Sequence, residues 1–87
     1  MKEVILFELP FCPHCRLARR FQDELFQEHP EWREISLRII NEAEERALAA
    51  SYDYYYVPTY YVGGVKVHEG HAEKIDVEKV FRLASEK

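Results

Sequence analysis

Residues 4–9, Val-Ile-Leu-Phe-Glu-Leu, carry a bulky side chain at almost every position, stop at Pro10, and give way at Pro13 to a stretch of helical period. This junction constrains the chain more than any other feature, because it commits the N-terminal part to a strand feeding a helix. A short continuous apolar run fits a strand covered on both faces. Pro13 suits the first turn of a helix, where the N–H it lacks would be unpaired anyway. Behind it Leu17, Ala18, Phe21, Leu25 and Phe26 recur at spacings of three and four as an apolar stripe, and His29-Pro30 ends the helix.

Residues 34–40 alternate, with Ile35, Leu37 and Ile39 on one side and Ser36 and Arg38 on the other, which predicts a strand with one polar face. Asn41 followed by Glu44 matches a capping box, ahead of the helix formers Glu-Ala-Glu-Glu-Arg-Ala-Leu-Ala-Ala. Residues 54–62 are aromatic and β-branched, broken only by Pro58, and read as a strand; Gly63-Gly64 then supplies a hairpin turn into Val65-Lys66-Val67-His68. Ile75, Val80, Phe81 and Ala84 mark a last amphipathic helix. The order is β-α-β-α-β-β-α without linker, repeat or low-complexity segment, so residues 1–87 read as a single domain. A helix between the first two strands makes them parallel through a right-handed crossover, while the last two form an antiparallel hairpin. The expected class is α/β, a mixed four-stranded sheet flanked by three helices.

The chain has 12 Lys and Arg against 16 Asp and Glu, a formal charge of −4. A non-specific nucleic-acid binder needs a basic surface to displace counterions, so this balance argues against one. No apolar run approaches the roughly 18 residues of a membrane span. Residues 1–7 lack the long apolar core and cleavage site of a signal peptide. Neither nucleic acid nor membrane is expected as a partner, and a cytoplasmic location is.

Both cysteines stand in one tetrapeptide, Cys12-Pro13-His14-Cys15. A disulfide closing so short a loop removes little entropy from the unfolded chain and is a poor staple. A close pair in a reducing compartment reads instead as redox or metal chemistry. Position favours redox. A helix start leaves backbone N–H groups unpaired and carries about half a positive charge, so a thiolate at Cys12 is stabilised there. Cys15 lies one turn further in on the same side, where burial should keep it protonated. Cys12 is therefore expected to attack a disulfide and Cys15 to resolve the mixed disulfide. Pro13 and His14 are expected to tune the acidity of the pair, His14 by projecting outward and donating to the thiolate.

A strand, then Phe11-Cys12-Pro13-His14-Cys15 opening a helix, then Val57-Pro58-Thr59 opening a later strand, resembles the thioredoxin superfamily in its minimal glutaredoxin-like form, over nearly the whole chain. The resemblance implies a thioredoxin-like fold and a monomeric thiol–disulfide oxidoreductase acting on protein or low-molecular-weight disulfides. No bound cofactor is implied; electrons would come from a reductase or from glutathione, a candidate donor. It also implies that Pro58 follows a cis peptide bond and faces the dithiol, and that the backbone of Val57 pairs with substrate; Phe11, Tyr56 and Arg16 are further candidate substrate contacts near this edge. The chain departs from both branches of the superfamily. Leu6 stands where thioredoxins often carry a buried Asp, leaving Glu8, His14 or water to accept the proton of Cys15, and Phe11 replaces their usual Trp. Leu9 stands where glutaredoxins commonly place a glutathione-binding Lys, and Gly70-His71-Ala72-Glu73 lacks their Asp pair. Arg16, Arg19 and Arg20 are the candidate substitutes, against the plainer reading of a solvated helix face.

Tyr52, Tyr54, Tyr55, Tyr56, Tyr60 and Tyr61 crowd one segment; Tyr54 and Tyr60 read as core, Tyr56 as a neighbour of the dithiol. Trp32 reads as cover for the start of the second strand. Two rival functions remain. Cys12 and Cys15 with His68 and His71 offer four ligands that zinc accepts, although the long separation between Cys15 and His68 is unlike a zinc finger. A non-enzymatic thioredoxin-like adaptor would share the fold without reductase activity.

Overall fold

The computed structural model describes residues 1–86. Its strands are β1 (Val4–Glu8), β2 (Leu37–Asn41), β3 (Thr59–Val62) and β4 (Val65–Glu69), and its helices α1 (Pro13–Glu28), α2 (Arg46–Ala50) and α3 (Lys74–Ser85). The sheet runs β2-β1-β3-β4, with β1 parallel to β2 and antiparallel to β3, and β3 antiparallel to β4. The mixed four-stranded sheet and the chain order agree with the sequence-based expectation.

The apolar run of β1 is explained by its central place. Val4, Ile5, Leu6 and Phe7 are all buried, and alternate residues serve different layers. Val4 and Leu6 join Tyr60 and Val62 beneath α1 and α3, packing with Ala18, Leu25, Val77, Val80, Phe81 and Ala84. Ile5 and Phe7 turn the other way, to Ile40, Ala49 and Tyr61. On that face the Phe7 ring stacks on Tyr54 at 4.7 Å between centroids and meets the edge of Tyr61 at 5.9 Å. Gln22 interrupts the apolar stripe of α1 yet is buried, because the buried Tyr60 hydroxyl donates to its Oε1 at 2.6 Å.

Three element boundaries and two burial assignments differ from the sequence reading. The second strand begins at Leu37, not at residue 34, because Pro30–Glu34 forms a 3-10 turn. Pro30 starts that turn with its fixed φ, and Trp32 is drawn into the core between His29, stacked at 4.0 Å, and Phe81. β2 is not polar on one whole face either, since Ile40 is buried on the side assigned to Arg38. Asn41 does not cap a helix: its side-chain oxygen accepts from Ala43 N–H at 2.9 Å and its carbonyl from Glu44 and Glu45, which closes a turn and shortens α2. The third strand begins only at Thr59, because Pro58 offers no N–H to a ladder and residues 54–57 form a loop. Ile75, placed on the apolar face of the last helix, is exposed, and Val77 takes the buried position.

The hairpin turn matches expectation, with Gly63 at φ 56° and Gly64 at φ 84°, the left-handed pair that a two-residue turn requires. Beyond it the register slips between Tyr60 and Tyr61, which face His68 and Lys66, so Val67 is the extra residue of a β-bulge.

Candidate active site: a dithiol at a helix start

Chain direction places the dithiol at the end of β1. Pro10 and Phe11 turn the chain, Phe11 in the left-handed region at φ 61° with its ring almost fully exposed. A non-glycine residue there costs about 1–2 kcal/mol of backbone strain. Cys12 then serves as N-cap of α1, extended at φ −94° and ψ 110°, and its Sγ accepts from Cys15 N–H at 3.2 Å. The sulfur does what a serine or aspartate oxygen does at an ordinary helix start, accepting a backbone N–H that no helical carbonyl takes. Pro13 occupies the first turn as expected.

Both cysteines are free thiols, Cys12 half-buried and Cys15 buried. Burial pushes the Cys15 thiol up to about 12, helped by its hydrogen bond with Cys12 and the charges of Cys12 and Glu8, and opposed by the Leu9 backbone. The sign is plain: Cys15 keeps its proton throughout the neutral range. Iodoacetamide should therefore label Cys12 first in the native protein at neutral to mildly alkaline pH, and Cys15 only after unfolding. Equal labelling of both thiols, read by peptide mass spectrometry, would contradict this.

Beside Cys15 lies a groove of about 350 Å³ lined by Glu8, Leu9, Pro10, Phe11, Arg16, Arg19, Arg20 and Asp23. Arg19 pairs with Glu8 at 3.1 Å across it, and Arg20 reaches Glu24 at 3.6 Å. Arg16 is exposed and makes no ion pair among the described residues. All three arginines line the groove, and Arg19 and Arg20 are committed to carboxylates.

The Val57–Pro58 peptide is cis, and Pro58 is buried. Phe7 faces Thr59 in the antiparallel ladder, so Pro58 lies at the end of the sheet where β1 runs into the dithiol. The preceding loop is held by Glu69, whose Oε2 accepts the N–H of Tyr55 at 2.5 Å and of Tyr56 at 3.0 Å, while Lys66 Nζ donates to Oε1 at 2.8 Å. Both tyrosine rings are left exposed and Val57 half-buried. Lys66 first, then the two amides, hold the Glu69 carboxyl at about 2, below its ordinary 4.5. What this clamp contributes is complete above about pH 4.5 and is lost as pH falls through about 2. Amide exchange at Tyr55 and Tyr56 should lose protection over that window, and Glu69→Ala should lose it at neutral pH; unchanged exchange in the variant would show that the clamp does not hold the loop.

His14 projects outward as expected, but its hydrogen-bond partner is His71 rather than Cys12: the two Nδ1 atoms are 2.9 Å apart. His71 Nε2 in turn contacts Glu73. His68, weighed with His71 as a zinc ligand, donates from Nε2 to the His71 carbonyl at 2.8 Å. Among the described residues no three His, Cys, Asp or Glu side chains converge as a metal cluster. Sequence reasoning missed Glu69, because pairing across so many residues leaves no local pattern, and the Glu73 contact; it marked His71 only with His68, as ligands for the rival zinc reading.

No protein-family model matches the chain. A thioredoxin of Methanocaldococcus jannaschii is 34% identical to it over 62 residues, 71% of each sequence. The chain belongs to the thioredoxin superfamily. The solved structures bear out the fold of this superfamily member. A malarial protein superimposes with a TM-score of 0.74 at 14% identity, covering 99% of both chains. A thioredoxin point variant from Halobacterium salinarum gives 0.71 at 20% identity, covering 99% of this chain and 76% of the other. In broad class this superfamily member is a thiol–disulfide oxidoreductase.

Proposed function

We propose that the chain reduces protein or small-molecule disulfides with the Cys12/Cys15 pair. The carrying observation is the asymmetry of the two sulfurs: Cys12 caps a helix and is partly accessible, while Cys15 is buried and holds its proton. Cys12 thiolate attacks one sulfur of the substrate, and the other leaves as a thiolate. Cys15 then loses its proton and attacks Cys12 Sγ, which releases the reduced substrate and leaves the enzyme two electrons more oxidised as a disulfide. Glu8, whose charge bears on Cys15 and which lines the same groove, is our proposed acceptor for that proton. Pro13 and His14 tune the pair, and Phe11, Arg16, Tyr56 and the Val57–Pro58 edge receive the substrate.

A protein disulfide is the favoured substrate, because exposed Phe11, Tyr55 and Tyr56 offer apolar contact area beyond what a small disulfide needs. The enzyme works in this reading as a cytoplasmic monomer, without a bound cofactor, re-reduced by a reductase or by glutathione. Insulin disulfide reduction tests the activity, and supplying either glutathione or NADPH with thioredoxin reductase identifies the donor. Turnover with one donor assigns the branch of the superfamily. No insulin reduction from the chemically reduced protein would favour the adaptor reading instead.

A further inference from the structure

A second group of side chains meets the start of α1, where the segment joining β4 to α3 brings His71 against His14. The two imidazoles stand nearly perpendicular, at 84°, with Nδ1 facing Nδ1 at 2.9 Å. The other nitrogen of His71, Nε2, is taken by the carboxylate of Glu73. Both distal partners are anchored independently. Glu73 is the N-cap of α3 in a reciprocal capping box with Asp76, and the His71 backbone carbonyl accepts from His68.

Counting hydrogens fixes the roles. An ionised carboxylate only accepts, so His71 carries its hydrogen on Nε2. Neutral His71 then has a lone pair on Nδ1, and His14 must supply the hydrogen that joins the rings from its own Nδ1. His14 Nε2 is left bare. A proton taken up by the chain lands on that atom, and a second would set two like charges within hydrogen-bond distance, which is strongly disfavoured.

Resting on the dithiol reading above, we propose that Glu73 and His71 are positioning residues for His14: they hold it in the Nδ1–H tautomer and leave Nε2, two residues along from Cys12, as the open nitrogen of the chain. In the functional reading above His14 tunes the pair, so the state of that one nitrogen is what the dithiol would sense. Of the charged and titratable groups on the neighbouring segments, Lys74 is paired with Glu24 and Glu28, Asp76 is bound to the Glu73 backbone, His68 donates to the His71 carbonyl, and Arg16 and Cys15 lie on α1 itself.

Nitrogen-15 NMR of the histidine rings, together with Cys12 alkylation rates between about pH 5.5 and 8.5, tests the proposal on wild type, His71→Ala and Glu73→Gln. Glutamine keeps an acceptor for the α3 cap and removes only the charge, so the helix survives the second variant. In wild type, neutral His14 should show hydrogen on Nδ1; in His71→Ala it should revert to the Nε2–H form that free imidazole prefers. Near pH 6 Cys12 should react about threefold more slowly in both variants than in wild type, with the difference vanishing at the alkaline end. An unchanged His14 tautomer, or a rate ratio that does not vary with pH, overturns the proposal. Neither readout needs turnover, so a protein that failed to reduce insulin would sink the functional reading and leave this test intact.

Discussion

Cys12→Ser should bring disulfide reduction down to the uncatalysed background, while Cys15→Ser should stop the cycle halfway with substrate covalently attached. A serine hydroxyl is not ionised near neutrality and cannot do a thiolate's work, yet it can still accept the Cys15 N–H at the helix start. Loss of activity in the first variant is therefore chemical and not a failure to fold. In the second variant Cys12 keeps its place but nothing resolves the mixed disulfide. The adduct should build up to one per chain, visible as a mass increase that dithiothreitol reverses. Multiple turnovers by Cys12→Ser, or no adduct with Cys15→Ser, would reverse the assignment of the two sulfurs or remove it.

Phe81→Ala should cost about 3–5 kcal/mol of folding stability, as loss of a fully buried aromatic ring does. Phe81 has no exposed surface and meets Phe26 at 5.0 Å, Tyr60 at 6.2 Å and Trp32 at 6.3 Å between ring centroids. It ties α3 to α1, the helix that carries the dithiol. Domains of this size hold about 5–15 kcal/mol in total, so the variant stands near the edge of unfolding at room temperature. Its urea midpoint should fall steeply with little change in slope. A loss below about 1 kcal/mol would mean that neighbouring side chains collapse into the space.

The parts of the fold that could be read from sequence are those where one residue's neighbours in the chain also decide its environment. Val4 to Phe7 are apolar in succession because β1 has a strand on either side and a core on both faces, and Gly63-Gly64 announces its turn because few other residues adopt that backbone. Cys12 at a helix start was legible for the same reason, with Pro13 marking the first turn. Legibility fails where partners are distant. Asn41 has the pattern of a cap, but the turn it closes belongs to the end of β2, and Ile75 has the right spacing without a surface to cover. Glu69 bridges to Tyr55 and Tyr56, and His71 to His14, by contacts that no local period encodes.

The extra residue at Val67 bears on how copies of the protein meet. β4 is the outer strand on its side of the sheet, and a straight outer strand offers an incoming chain an unbroken row of donors and acceptors. Here that row is thrown out of step in its middle, and Lys66 sits on the distorted stretch as a charge that any added strand would have to desolvate. The rim is thereby a poor template, which guards concentrated solutions against fibrous growth from this side.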